Sequence, residues 1–392
     1  MNNKYHLAVS SFNGFPYSTD FITYYANFTT DIAASSKTSK VFQSGFVWPN
    51  EVTYISQSIV NQTVDPFGGL IASGGFLVPT KTKGGLYYFP FSGLDRYKID
   101  IAKPIELSFQ TGNRQDWFYH RVMFVDINGD GYANDLLTCR AYKPVFGSTK
   151  TELVAFVFNS ATQKFEEHII MKEACDVHFD VADVDNDGRF EIIAAGFFIS
   201  QLNVIYSDHE TNSFLGGNAK KKVIDSNAGQ IFDVIIENLN SDKKLELIVT
   251  NHQEKGMSIK PALFYYKLNG SNIRDSTWER FTIYQNFPIL QGGIKPASPG
   301  IPILVHPNLN DKSELAHILV AGDGAQYAYL FEPNTDSAGN LNYTLTWSRL
   351  FKNTVGGISV ADLDGDGFSE FSVPSYDENA IYFFSFGPNK KN

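Results

Sequence analysis

Residues 178–198, HFDVADVDNDGRFEIIAAGFF, carry Asp183, Asp185, Asp187 and Glu191 within a few positions of one another. Coulomb repulsion makes such a cluster unfavourable unless solvent or a bound cation cancels it. The alternating aspartates, a glycine at 188 able to turn sharply, and a glutamate returning from the next segment suit a hard divalent ion. Ca2+ takes roughly six to eight oxygens, most of them from carboxylates and carbonyls. An EF-hand would need a glutamate where Ala194 stands, and a helix on each side. The flanks are instead short apolar runs rich in aromatic and β-branched residues, which favour strands. The stretch is therefore expected to be a β-hairpin whose turn is a metal loop.

The pattern recurs. FVDINGDGYANDLLTCRAY offers Asp126, Asn128 and Asp130, with Asn134 at the ninth position and Asp135 beside it. SVADLDGDGFSEFSVPSY offers Asp362, Asp364, Asp366 and Glu370. A weaker copy, IIENLNSDKKLELIVTNH, keeps Asn238, Asn240, Asp242 and Glu246 but has Lys243 in place of the glycine, so weak binding or none is expected there. Asn308 and Asn310 in one further segment, and Asn61 and Asp65 in another, read as structural turns.

Strands must present these turns. The first positions of successive copies, from Asn61 to Asp362, lie 54 to 70 residues apart, somewhat longer than the repeat of a β-propeller blade. Each turn is followed by an apolar segment, then by one ending in aromatics, such as LNVIYSD or AIYFFSF. A more polar fourth segment, such as KFEEHIIM or WERFTIYQN, follows most of them. The expected fold is all-β: one domain over residues 1–392, a seven-bladed β-propeller of four-stranded antiparallel blades. YHLAVSSF starts the first blade at its second strand, and AIYFFSF ends the last at its third. Six blades with a spare hairpin is the alternative.

The repeated D-x-[DN]-x-D-G-x-x-[DE] between short strands, followed by small residues as in IIAAGF and ILVAGD, resembles the FG-GAP or VCBS repeat family. That family includes the propeller of integrin α subunits and lectin-like propellers. The resemblance covers residues 54–386 well and the first fifty loosely. It implies a seven-bladed propeller with Ca2+ in some of the hairpin turns, about three ions here and a fourth if the Asn238 turn binds.

A net charge of −10 disfavours nucleic acid and anionic membranes as partners. No apolar run is long enough to span a bilayer, and the first residues do not read as a signal peptide. Cys139 and Cys175 could form a bridge or stay as thiols. Sequons at Asn27, Asn61, Asn269 and Asn342, with turns that fill at extracellular Ca2+, point to an extracellular or surface setting. His120 and His178 lie near the innermost strands of adjacent blades, where they could meet at a channel site or serve as structural histidines. Trp278 and Trp347 occupy equivalent places and read as fourth-strand packing. The usual catalytic signatures are absent. The leading reading is a recognition module for carbohydrate, glycoprotein or another protein ligand; the alternative is a lyase- or dehydratase-like enzyme with a site near the central channel.

Overall fold

The computed structural model describes residues 5–15, 17–28, 39–42, 47–55, 68–78, 80–92, 100–101, 105–108, 116–144, 146–159, 161–162, 164–240, 242, 244–292, 296–335 and 341–388. The sequence positions Asn61, Asp65 and Lys243 lie outside them. Among the described residues, apart from one 3-10 turn at Tyr376–Glu378, the regular structure is β throughout. No helix among the described residues is long and apolar enough to cross a membrane.

The strands form successive antiparallel meanders in chain order. One sheet runs Phe118–Val125, Asp135–Tyr142, Lys150–Asn159 and Lys164–Lys172; the next runs Phe179–Ala182, Glu191–Gly196, Gln201–Ser207 and Ala219–Asp225. Ile231–Glu237, Glu246–Asn251, Ala262–Asn269 and Thr277–Gln285 make another, as do Pro302–Val305, His317–Ala321, Tyr327–Thr335 and Leu341–Leu350. Pro49–Ile55, Gly69–Gly74 and Leu86–Ser92 form a sheet with two short strands added to the last. The terminal sheets hold three strands each: Tyr5–Ser11, Phe21–Phe28 and Ser39–Phe42 at one end of the chain, Ser359–Ala361, Glu370–Ser375 and Ala380–Ser385 at the other.

This is a β-propeller arrangement of antiparallel blades. Seven blades over-count it: among the described residues the first and last sheets hold three strands each, incomplete as the sequence leads one to expect. The six-bladed arrangement stated as the alternative describes it better, with a terminal sheet in surplus.

Burial explains the apolar periodicity. Second strands such as Glu191–Gly196 and Glu246–Asn251 are buried along their whole length, whereas the fourth strand Thr277–Gln285 is half exposed. Interior strands read as continuous apolar runs because both faces are covered, and outer strands mix polar and apolar residues. By contact density the chain divides into two compact units: Lys4–His178 with Ile205–Lys221, and Phe179–Val204 with Lys222–Asn392 and Met1–Asn3. In the first unit, Ile71, Leu86 and Tyr88 of one sheet share a core with Val122, Leu136, Val154 and Phe156 of the next. In the second unit, Ile248, Leu263 and Tyr265 pack with Ile318, Val320, Tyr329 and Phe331. Leu319, Ala328 and Leu330 pack in turn with Phe371 and Val373. Each such side chain contributes roughly 1.5–3 kcal/mol, so stability comes from sheet-to-sheet faces that no single blade could bury alone. Trp347 on the fourth strand of its sheet packs edge-on against Phe371 and Phe384, the packing role expected of it.

Within the first unit Cys139 and Cys175 are joined by a disulfide that closes a separation of 36 residues. Near the start of the same unit, Lys81 and Asp20 form an ion pair at 2.5 Å with both side chains 1% exposed. Lys81 Nζ also donates to the Asn13 carbonyl and Ser18 Oγ, and Asp20 accepts from the Asn13 and Trp48 backbone amides. A buried pair this well bonded repays its desolvation.

Candidate metal centres

Every acidic motif occupies the turn between the first and second strands of its sheet. The register fixes how the turn closes. Ala182 pairs with Glu191, Glu237 with Glu246, Ala361 with Glu370 and Val125 with Asp135. In each case the carboxylate that opens the second strand stands opposite the residue just before the turn, and from there it reaches back across it. Glu191 accepts from the Val184 amide at 3.0 Å, Glu246 from Leu239 at 3.0 Å and Glu370 from Leu363 at 2.8 Å. Asp135 accepts from both Ile127 and Asn128 at 3.1 Å and from Phe158 at 3.3 Å. Asp135, not Asn134, is therefore the structural counterpart of Glu191. That turn carries one residue more, which a count along the sequence assigns to the wrong partner.

The first aspartate of each full motif organises the turn. Asp183 accepts from the Asp187 and Gly188 amides, Asp126 from Gly129, Asp130 and Gly131, and Asp362 from Gly365, Asp366 and Gly367. The motif glycines Gly131, Gly188 and Gly367 all have φ between +86° and +88°, where a Cβ would be strained. The D-x-[DN]-x-D-G spacing thus encodes a turn as well as a set of oxygens.

In two turns the carboxylates converge. Asp183, Asp185 and Glu191 each bring an oxygen within 4.8 Å of the others, and Asp362, Asp364 and Glu370 do the same. Asp187 and its counterpart Asp366 both stand outside these groups, and Arg189 Nη2 lies 2.6 Å from Asp187 Oδ2 and holds that carboxyl below the usual range. The equivalent of Arg189 after Asp366 is Phe368, so the Asp362 turn has no internal cation at that place. Burial pushes Glu191 up to about 8, with Asp185, Asp187 and Asp183 adding repulsion and the Val184 amide opposing it. Glu246 and Asp135 are each raised to about 6, chiefly by burial.

Three oxygens in these turns are orphaned: Asp185 Oδ1, Asn134 Oδ1 and Asn238 Oδ1 are buried without a hydrogen-bond partner. A buried acceptor without a donor is costly, and a divalent cation is the ligand that would satisfy it beside so many carboxylates. At the Asp183 turn the orphaned oxygen and the converging carboxylates fit Ca2+, and at the Asp362 turn the converging carboxylates do. At the Asp126 turn Asp126 and Asp130 supply carboxylates, and Asn128 and Asn134 supply amides. At the Asn238 turn Asn240 Nδ2 donates to Asp242 and Glu246, occupying oxygens that a cation would need. A fifth turn that the sequence marks only as structural uses the same clamp, with Glu314 Oε2 accepting from the Asn308 amide at 2.8 Å.

His120 and His178 do meet: their rings are 5.5 Å apart and perpendicular. Phe76 and Phe118 stand edge-on to His120, and burial holds its pKa well below the ordinary value, with His178 and Arg121 adding to the shift. Among the described residues no third ligating side chain joins them in a metal-holding group.

No family model matches the chain, and no curated protein matches it. Among solved structures it is similar to an oxidoreductase described as a glucose dehydrogenase from Thermus thermophilus, with 11% identity and a TM-score of 0.45, covering 87% of this chain and 96% of that one.

Proposed function

We propose that the chain is a Ca2+-stabilised recognition propeller of the extracellular space or cell surface, with carbohydrate or glycoprotein as its ligand. The observation that carries the metal reading is the convergence of three carboxylates in each of two equivalent turns. Ca2+ at millimolar extracellular concentration would fill sites of this composition. The Cys139–Cys175 bridge suits an oxidising compartment, and the sequon residues Asn269 and Asn342 are exposed. The acidic turns hold the first two strands of each sheet in register, and the loops at either end of the strands are free to vary for recognition.

Metal counting with calorimetric Ca2+ titration tests the reading. The expected result is two tight sites that disappear in Asp183→Ala and Asp362→Ala respectively, a third weaker site at the Asp126 turn, and a melting temperature raised by Ca2+ and lowered by EGTA. A glycan array probed with and without EGTA then tests the ligand class. Absence of bound Ca2+ at millimolar concentration would refute the metal assignment, and a blank array would refute the carbohydrate assignment.

A further inference from the structure

Residues 270–276 join Ala262–Asn269 to Thr277–Gln285, in the sheet that follows the one carrying the Asp183 turn. They close on themselves: the Ser276 amide donates to the Asn272 carbonyl at 3.0 Å, and the Arg274 amide to Asn272 Oδ1 at 2.8 Å. Gly270, at φ +136°, leaves the place of a Cβ to Ser276 Oγ. A segment closed this way is held as one piece. Its carbonyls at Ile273, Arg274 and Ser276 are gathered by Lys222 Nζ at 3.2, 2.9 and 2.5 Å. Lys222 stands on Ala219–Asp225, the fourth strand of the sheet that carries the Asp183 turn.

A further bond runs to the acidic turn itself. The buried Ile273 donates its amide to Asp185 Oδ2 at 2.6 Å, across 88 residues of chain. The other oxygen of that carboxylate, Oδ1, is buried with no hydrogen-bond partner, and Asp185 is one of the three carboxylates that converge there. Glu191, the most deeply placed of the three at 3% exposure, spends Oε2 on the Val184 amide. One aspartate therefore serves two partners: Oδ2 holds the neighbouring sheet, and Oδ1 is left for a cation. With no cation to offset it, repulsion among Asp183, Asp185 and Glu191 acts on Asp185 and works against the Ile273 bond. At the Asp362 turn the neighbouring sheet reaches the backbone instead, with the Leu309 amide donating to the Gly367 carbonyl at 2.8 Å and the Ser369 amide to the Pro307 carbonyl at 3.0 Å.

We propose that the Asp183 turn is a cation-dependent latch between sheets, in which a divalent cation and the docked segment 270–276 stabilise each other through Asp185, with Lys222 and Ile273 as positioning residues. The latch rests on the Ca2+ reading of the acidic turns and adds that this site is assembled from two sheets. Linkage is reciprocal, so the docked segment strengthens cation binding by the factor by which the cation strengthens docking.

The test reads both directions in the full chain. Amide hydrogen exchange followed by NMR, in EGTA and at saturating Ca2+, should show the Ile273 amide slowed about 10-fold by Ca2+. The slowing should persist in Asp362→Ala and vanish in Asp183→Ala, which separates it from stabilisation of the chain as a whole. In calorimetry Lys222→Met should weaken Ca2+ at the Asp183 turn several-fold. Coulomb's law alone gives the opposite sign, since removing a nearby positive charge favours a cation, so the direction of the change decides. Ca2+ bound at the Asp183 turn with unchanged exchange at Ile273, or with unaltered or tighter binding in Lys222→Met, would overturn the latch and leave the metal reading standing. Absence of any Ca2+ binding would overturn both. The exchange measurement leaves Lys222 in place, so it decides even where that variant folds poorly.

Discussion

Glu191 gives the sharpest test of how the acidic turns work. The residue is 3% exposed, and its carboxyl is raised from 4.5 to about 8 by burial and by three neighbouring aspartates. Below the unfolded value both states hold the proton and stability is insensitive to this group. Between about 4.5 and about 8 the folded state holds a proton that the unfolded state has lost, so cation-free stability falls as pH rises. At about 1.4 kcal/mol per unit the full interval is worth about 5 kcal/mol as a ceiling. Because the aspartates share the charge and solvent reaches them, about 2 to 3 kcal/mol is the expected drop. On the proposed Ca2+ reading, the ion should replace the proton and remove the dependence, adding about 2.7 kcal/mol when present at a hundred times its dissociation constant. The assay is urea unfolding from pH 5 to 8.5 with EGTA and with excess Ca2+, for wild type and Glu191→Gln. The variant should be less pH-dependent than wild type in EGTA and should gain less from Ca2+. An unchanged pH slope in Glu191→Gln would refute the reasoning.

Three further outcomes follow from the geometry. Asp185→Ala should cost about 1 to 3 kcal/mol by stripping the Ile273 amide of its acceptor, which lies at 2.6 Å, and hydrogen exchange at Ile273 should quicken. Lys222 Nζ, bound to the carbonyls of Ile273, Arg274 and Ser276, should confine the change to that turn. Arg189→Gln should tighten Ca2+ at the Asp183 turn several-fold in calorimetry and leave the Asp362 turn unchanged, because it releases Asp187 from its ion pair. Lys81→Met should destabilise by about 3 to 5 kcal/mol in denaturant unfolding, since Asp20 is left buried without its cation. The double change Lys81→Met with Asp20→Leu should recover much of that loss.

The turns were legible because their chemistry is local. A glycine with positive φ, an aspartate that collects the amides of its own turn and a glutamate at the start of the following strand all lie within ten or so residues, so Asp183 to Glu191 and Asp362 to Glu370 could be read from spacing alone. Local spacing also reaches its limit there. Asn134 sits at the counted ninth position, yet strand pairing gives the role to Asp135, because register is set by the partner strand and not by the number of residues in the turn. The three-stranded sheets at the two ends were legible from spacing as well, whereas the number of blades was over-counted.

The sequence alone determined the β class, the repeat, and the turns that gather carboxylates, since alternation, apolar runs and motif glycines act through neighbours along the chain. Only the tertiary structure decided which carboxylates converge, that Arg189 pairs with Asp187, that Cys139 and Cys175 are bridged, and that His252 faces Asp323. Those relations join residues 2 to 71 positions apart. Even the shortest of them depends on where the folded backbone aims a side chain. The pairing of His252 with Asp323 depends further on the packing of successive sheets, which brings the ends of separate second strands together without leaving any periodic trace in the sequence between them.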